Sequence, residues 1–218
     1  MARKRVAVLI SGRGSNMGAL VEAARDPAYP AEIALVLSNR PDAGGLAFAR
    51  DHGIATAVVD HARFGKEREA FERAMQAVLD AHRIELVCLA GFMRLLTPYF
   101  IGQWQDRMLN VHPALLPSFK GLDTHARALA AGVKIHGATV HFVVADMDAG
   151  PIVAQAAVPV LEHDDAATLA ARVIRVEHKI YPLALKLLAA GKLRVEAGRC
   201  RVEGVAPHEQ ALLVPGSS

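Results

Sequence analysis

Five consecutive apolar residues, Val6-Ala7-Val8-Leu9-Ile10, run straight into Ser11-Gly12 near the start of the chain. A strand with one wet face alternates apolar and polar side chains, whereas an unbroken apolar run belongs to a strand buried on both faces. The pattern recurs at residues 33–37, stopped by Ser38-Asn39-Arg40-Pro41, and at residues 85–90, with a shorter strand expected at 56–59. Helical patterns lie between these runs at residues 16–25, 44–52 and 64–82. The last carries Phe71, Met75, Val78 and Leu79 at helical spacing. Strands and helices in this alternation predict an α/β fold with a mostly parallel sheet and helices on both faces.

The second half is less regular. Residues 108–111 predict a short strand, followed by a loop with Pro113 and Pro117 and a short helix at 124–131. Residues 138–144 and 152–160 flank Asp146-Met147-Asp148-Ala149-Gly150-Pro151, a strong turn signal, and so predict a β-hairpin. Asp164 or Asp165 is placed to cap a long helix running to residue 188. Leu169, Val173, Val176, Ile180 and Leu187 line one face of it, and Pro182 is expected to kink it. The whole reads as a Rossmann-like sheet extended by a hairpin and a long helix. With 218 residues, 52% of them hydrophobic, the chain suits one well-packed core. A single domain is expected over residues 1–200, with a loose, polar, proline-containing tail at 201–218.

Charge and cysteine usage narrow the partners. The net charge is +3 and there is no Lys/Arg block, which argues against nucleic-acid binding as the main task and suits anionic small molecules. Cys88 and Cys200 make no disulfide framework. The start lacks a secretory pattern and no apolar stretch is long enough to span a bilayer, so a cytoplasmic protein free of membrane is expected. Monomer and homodimer both stay open.

Four groups of residues carry candidate chemistry. Ser11-Gly12-Arg13-Gly14-Ser15-Asn16 follows the first strand and opens a helix. Glycines bring backbone N–H groups close to a ligand and a helix N-terminus favours an anion, so phosphate is the natural partner. Met17 stands where a dinucleotide fingerprint needs its third glycine, and no Gly-Lys-Ser/Thr follows for a P-loop. The bland alternative is an ordinary strand-to-helix turn. Asn110 and His112, two apart on an expected strand, point to one side. An amide donor beside an imidazole suits a carbonyl under attack, since the donors hold the oxyanion and the imidazole carries a proton. A histidine satisfied by a local hydrogen bond is the alternative. Asp148 in the hairpin turn is most simply turn chemistry, but if it reaches His112 an ionised carboxylate there favours a protonated ring. Met93-Arg94-Leu95-Leu96 could line a flat heterocycle, while Arg68 and Glu177 read as solvated surface residues by default. No metal site is expected, because His112, His125 and His136 lack close two-ligand spacing. Ser11 and Ser15 do not lie in a nucleophile elbow.

Together these segments resemble the folate-dependent phosphoribosylglycinamide formyltransferases. The matching pieces are residues 8–16, 89–96, 109–117, 136–142, 147–153 and 177–182, so the resemblance covers roughly residues 5–195 in order. The Asn110-Val111-His112-Pro113 segment with the later Asp148 is common to formyltransferases at large. The Ser-Gly-x-Gly-Ser-Asn loop is the part specific to the glycinamide enzymes. Ala114 stands where Ser is common, and Met147-Asp148-Ala149-Gly150 replaces the commoner Leu-Asp-Gly-Gly.

The resemblance implies the formyltransferase fold and 10-formyltetrahydrofolate as a co-substrate, with no metal. It implies Asn110, His112 and Asp148 as the catalytic group. Gly14, Ser15 and Asn16 would hold the acceptor's phosphate and Glu177 its ribose. Arg68, Met93, Arg94, Leu95, Leu96 and Asn110 would line the folate site, and the loop of Val144, Ala145, Asp146, Met147 and Asp148 would close on the pterin. Three rivals are set against this. A formyltransferase acting on tRNA is expected to carry a further C-terminal domain, and a formyl-folate hydrolase an N-terminal one. A non-catalytic nucleotide-binding protein would use the glycine loop but has no need of Asn110, His112 and Asp148 together.

Overall fold

The computed structural model describes residues 2–204 together with 212 and 214. Seven strands form one sheet in the order β3-β2-β1-β4-β5-β6-β7. The strands are β1 (Lys4–Ile10), β2 (Ala31–Ser38), β3 (Ala55–Val58), β4 (Leu86–Leu89), β5 (Met108–His112), β6 (Ile135–Phe142) and β7 (Ile152–Pro159). The first five are mutually parallel, and β6 and β7 then run antiparallel. The mostly parallel sheet and the hairpin are therefore both as expected.

The helices are α1 (Ser15–Ala23), α2 (Gly45–Asp51), α3 (Arg68–Ala81), α4 (Pro98–Gln103), α5 (Thr124–Ala130) and α6 (Ala166–Ala189). Alternate residues of β1 feed two cores. Val6, Val8 and Ile10 meet α1, α2 and α6 on one face, while Ala7 and Leu9 meet α3 and α4 on the other. This alternation is why the first strand had to be apolar throughout. Asp165 caps α6 with a reciprocal bond to Thr168, while Asp164 pairs with Arg172. The helix continues through Pro182, whose carbonyl accepts a hydrogen bond from the Tyr29 hydroxyl at 2.6 Å.

Four features depart from the sequence reading. The helix expected from residue 64 begins at Arg68, because Gly65 has φ +53° and ends a short 3-10 turn at His61–Phe64. Helix α4 has no counterpart in the expectation. The strands β8 (Leu193–Glu196) and β9 (Arg199–Val202) form a separate hairpin, turned at Ala197 and Gly198 with φ +49° and +74°. Arg201 and Val202 are thus paired strand residues rather than the start of the expected tail. Residues 205–211, 213 and 215–218 of that tail lie outside the described residues.

Candidate active site

The strand order reverses between β1 and β4, so the chain leaves these neighbours toward opposite faces and opens a crevice at their carboxyl ends. The glycine loop fills one side. Gly14 takes φ +68° and ψ +45° at the N-cap of α1, a left-handed conformation that glycine adopts without steric cost. The Gly45 N–H donates to the Gly12 carbonyl at 3.1 Å. Ser11, itself buried, ties three segments together: its hydroxyl donates to Asn39 at 2.6 Å and accepts from the Met93 N–H at 2.8 Å. A cleft of about 380 Å³ follows this loop and is walled also by Arg40, His61, Gly91, Met93 and Arg94.

From the loop, Asn16 donates to Glu177 of α6 at 2.5 Å. Glu177 is only 6% exposed, so it is not the surface residue its place in the helix suggested. Burial raises its carboxyl above the usual range, against the opposing pull of the Asn16 hydrogen bond and of nearby His112. The Asn16 Oδ1 atom is buried with no hydrogen-bond partner in the protein.

Beyond Glu177 lies the Asn110, His112 and Asp148 group. His112 and Asp148 come together although they lie 36 positions apart, and His141 stands between Asn110 and Asp148. His112 Nδ1 stands 3.4 Å from Asp148 Oδ2, the side chains being 7% and 10% exposed. The other imidazole nitrogen, Nε2, faces the Phe119 carbonyl at 3.0 Å. Asp148 Oδ2 also accepts from the Gly121 N–H at 2.9 Å, and Asp148 itself has φ +50°. The loop at residues 119–121 therefore contacts both His112 and Asp148. Thr139, opposite His112 on β6, accepts from the Leu116 N–H and donates to the Ala114 carbonyl, fixing the chain that follows His112.

Of the residues that the resemblance assigns to folate, Met93 and Arg94 line the cleft. Met93 and Leu95 are exposed at 69% and 67%, unusual for large apolar side chains. Arg68, the first residue of α3, donates to the Leu95 carbonyl at 2.5 Å. The segment ends at Thr97, whose N–H and hydroxyl both bond the buried carboxylate of Glu72. In the segment 144–148, Ala145, Asp146 and Met147 are exposed, Met147 at 55%, while Val144 and Asp148 are half-buried; the end of the Met147 side chain lies close to Gly121.

The sequence profile described as Formyl transferase matches residues 4–185. The chain belongs to the formyl transferase family. Phosphoribosylglycinamide formyltransferase of Escherichia coli K12 is 41% identical over 199 residues, covering 91% of this chain and 93% of that protein. Trifunctional purine biosynthetic protein adenosine-3 of Bos taurus is 50% identical over 198 residues, 90% of this chain but 20% of that protein. The chain thus spans about a fifth of the length of that relative. Glycinamide ribonucleotide transformylase 1 from Symbiobacterium toebii superposes with a TM-score of 0.89 at 45% identity, covering 92% of this chain and 94% of that one.

Several residues of this formyl transferase's site were missed in the sequence. Asn39, Glu72 and Thr139 act through contacts that no local spacing announces, and Ser11, placed in the loop by its sequence, gains its role from Asn39 and Met93. His141 sits directly across from Asn110, with its Nε2 3.3 Å from the Asn110 amide and 3.8 Å from Asp148. His125 and His136, set aside as metal ligands, stack edge to face with ring centroids 5.5 Å apart. Among the described residues no cluster of three or more metal-binding side chains is found, and no helix is long and apolar enough to cross a membrane.

Proposed function

We propose that this formyl transferase moves the formyl group of 10-formyltetrahydrofolate to the amine of 5'-phosphoribosylglycinamide, giving formylglycinamide ribonucleotide and tetrahydrofolate in de novo purine biosynthesis. The relatives named for that reaction support the substrates, and both are small molecules. A cytoplasmic setting fits this role. The observation that supports the reading best is that Asn16 of the glycine loop donates to the buried carboxylate of Glu177, while His112 of β5 and Asp148 of the turn after β6 face each other. On this reading the glycine loop takes the acceptor's phosphate, and Asn110, His112 and Asp148 carry the transfer.

Gly14, Ser15 and Asn16 hold the phosphate with backbone N–H groups at the start of α1, where the helix dipole favours negative charge. Glu177 accepts from a ribose hydroxyl, and the unpartnered Asn16 Oδ1 offers a second acceptor beside it. Arg68 and Met93 to Leu96 line the folate site, and the loop at 144–148 closes on the pterin. The neutral amine attacks the formyl carbon, and Asn110 and protonated His112 stabilise the oxyanion. As the bond to the folate N10 breaks, that nitrogen gains a proton and the amine loses one. His112 mediates the exchange, with Asp148 holding the charged imidazole. For this, His112 Nε2–H exchanges the Phe119 carbonyl for the substrate.

The test uses the phosphate. Tetrahydrofolate release should require the ribonucleotide, and removing its 5'-phosphate should raise KM strongly. Folate release at an equal rate with water alone would instead support a hydrolase.

A further inference from the structure

His141 has no part in the scheme above, yet it is 3% exposed and lies at the centre of the group. It faces Asn110 across the β5–β6 pair, on the same side of the sheet. The β6–β7 register slips between Val140 and His141, an irregularity of the kind that re-aims a side chain. The ring's two nitrogens have different partners. Nδ1 lies 2.9 Å from the Phe142 carbonyl, which can only accept, so Nδ1 carries the hydrogen. In the neutral ring Nε2 is then a lone pair, and it can only accept. Burial outweighs the nearby Asp148 carboxylate and lowers the ring toward this neutral form.

The group 3.3 Å from that lone pair is the Asn110 side-chain amide. An amide can present either its oxygen or its NH2, and only the NH2 satisfies Nε2. From this geometry we infer that His141 is a positioning residue: it fixes the Asn110 amide so that one N–H points to His141 and the second is left for the oxyanion. Phe142 O thus selects the tautomer of His141, and the tautomer selects the orientation of Asn110. With the amide reversed, Asn110 would present its oxygen to a developing oxyanion and repel it. The inference rests on the reading of Asn110 as an oxyanion donor, and the experiment separates the two.

His141→Leu removes the acceptor and should lower kcat about tenfold to a hundredfold, since a misdirected donor approaches the loss of a removed one. KM for the ribonucleotide should stay within about twofold, because its ground-state binding does not use this bond. His141→Gln, whose carbonyl oxygen reaches the position of Nε2, should recover most of the lost rate. In an Asn110→Ala background, His141→Leu should cost less than about a further twofold. An undiminished loss in that background would overturn the role of His141 while leaving Asn110 as the donor. If Asn110→Ala alone left kcat unchanged, the reading of Asn110 would fall and this inference with it. Nitrogen NMR of the wild-type protein gives a check that needs no variant to fold. The hydrogen should reside on Nδ1 of His141, and a hydrogen on Nε2 would refute the proposal.

Discussion

Gly150→Ala is a one-carbon change that should disable the transfer without touching a catalytic group. A Cβ at Gly150 would stand 1.8 Å from the Phe142 carbonyl oxygen and 2.8 Å from its carbon. Both are backbone atoms, so no rotamer relieves the overlap. Carbon and oxygen settle at about 3.3 Å or more, so the chain near Gly150 must withdraw by roughly 1.5 Å. Asp148 lies two residues away and moves with it. Its contacts are His112 at 3.4 Å and the Gly121 N–H at 2.9 Å, and neither survives such a shift unchanged. Misplacement by about 1 Å can cost about a hundredfold in rate, so kcat should fall about that far. KM for the ribonucleotide should change little, because the glycine loop is remote in the chain. The strain should also lower stability by about 1–3 kcal/mol, read by denaturant unfolding. Steady-state assay of formyl transfer in Gly150→Ala, Asp148→Asn and the double variant measures the coupling. In the Asp148→Asn background the alanine should cost only a few-fold. Near-normal turnover of Gly150→Ala, or an undiminished loss in the double variant, would refute the idea that this glycine sets the position of Asp148.

Other variants probe the remaining parts. Gly14→Val forces a branched side chain into φ +68° and toward Met17 at 3.3 Å, so KM for the ribonucleotide should rise more than about tenfold while folate affinity holds. Gly45→Ala should act in the same direction more weakly. Its Cβ would meet Ile10 at 2.6 Å and the Arg13 and Gly12 carbonyls at 3.1 and 3.2 Å, lifting the loop from below. Burial pulls His136 down from 6.5 to about 4, so it stays neutral when folded and gains a proton when unfolded. The stability it contributes is present above 6.5 and is lost as pH falls toward 4. His136→Phe should flatten the loss of unfolding free energy across that window, measured by urea titration at several pH values.

Much of the fold was legible because burial on both faces of a parallel sheet leaves unbroken apolar runs, as at residues 6–10. The pairing of Asn110 with His112 was legible for a similar reason, since strand periodicity is local. The contact of His112 with Asp148 was not. It depends on β6 returning antiparallel beside β5 and on the turn that follows, and only the family resemblance supplied it. His141 was hidden more completely, because its meaning comes from a cross-strand register and a slip at Val140. Glu177 looked exposed because Val176 and Ile180 placed it beside, not on, the apolar stripe; its burial comes from α1 packing on α6 and from Asn16. Helix α4 was missed although Thr97-Pro98 is a helix-start signal, because one and a half turns are too short for a hydrophobic period to emerge. The β8–β9 hairpin carried an alternating pattern around Ala197-Gly198, but an alanine in a left-handed turn is not a signal that sequence rules favour.

The most direct test of the central claim follows the carbon itself. The protein is given 10-formyltetrahydrofolate labelled at the formyl carbon together with 5'-phosphoribosylglycinamide, and the label is traced by carbon NMR. The label should move into the amide of formylglycinamide ribonucleotide as tetrahydrofolate appears in equal amount. With His112→Ala it should remain on the folate, although both substrates still bind. Label recovered as formate whether or not the ribonucleotide is present, or unchanged transfer in His112→Ala, would contradict the account.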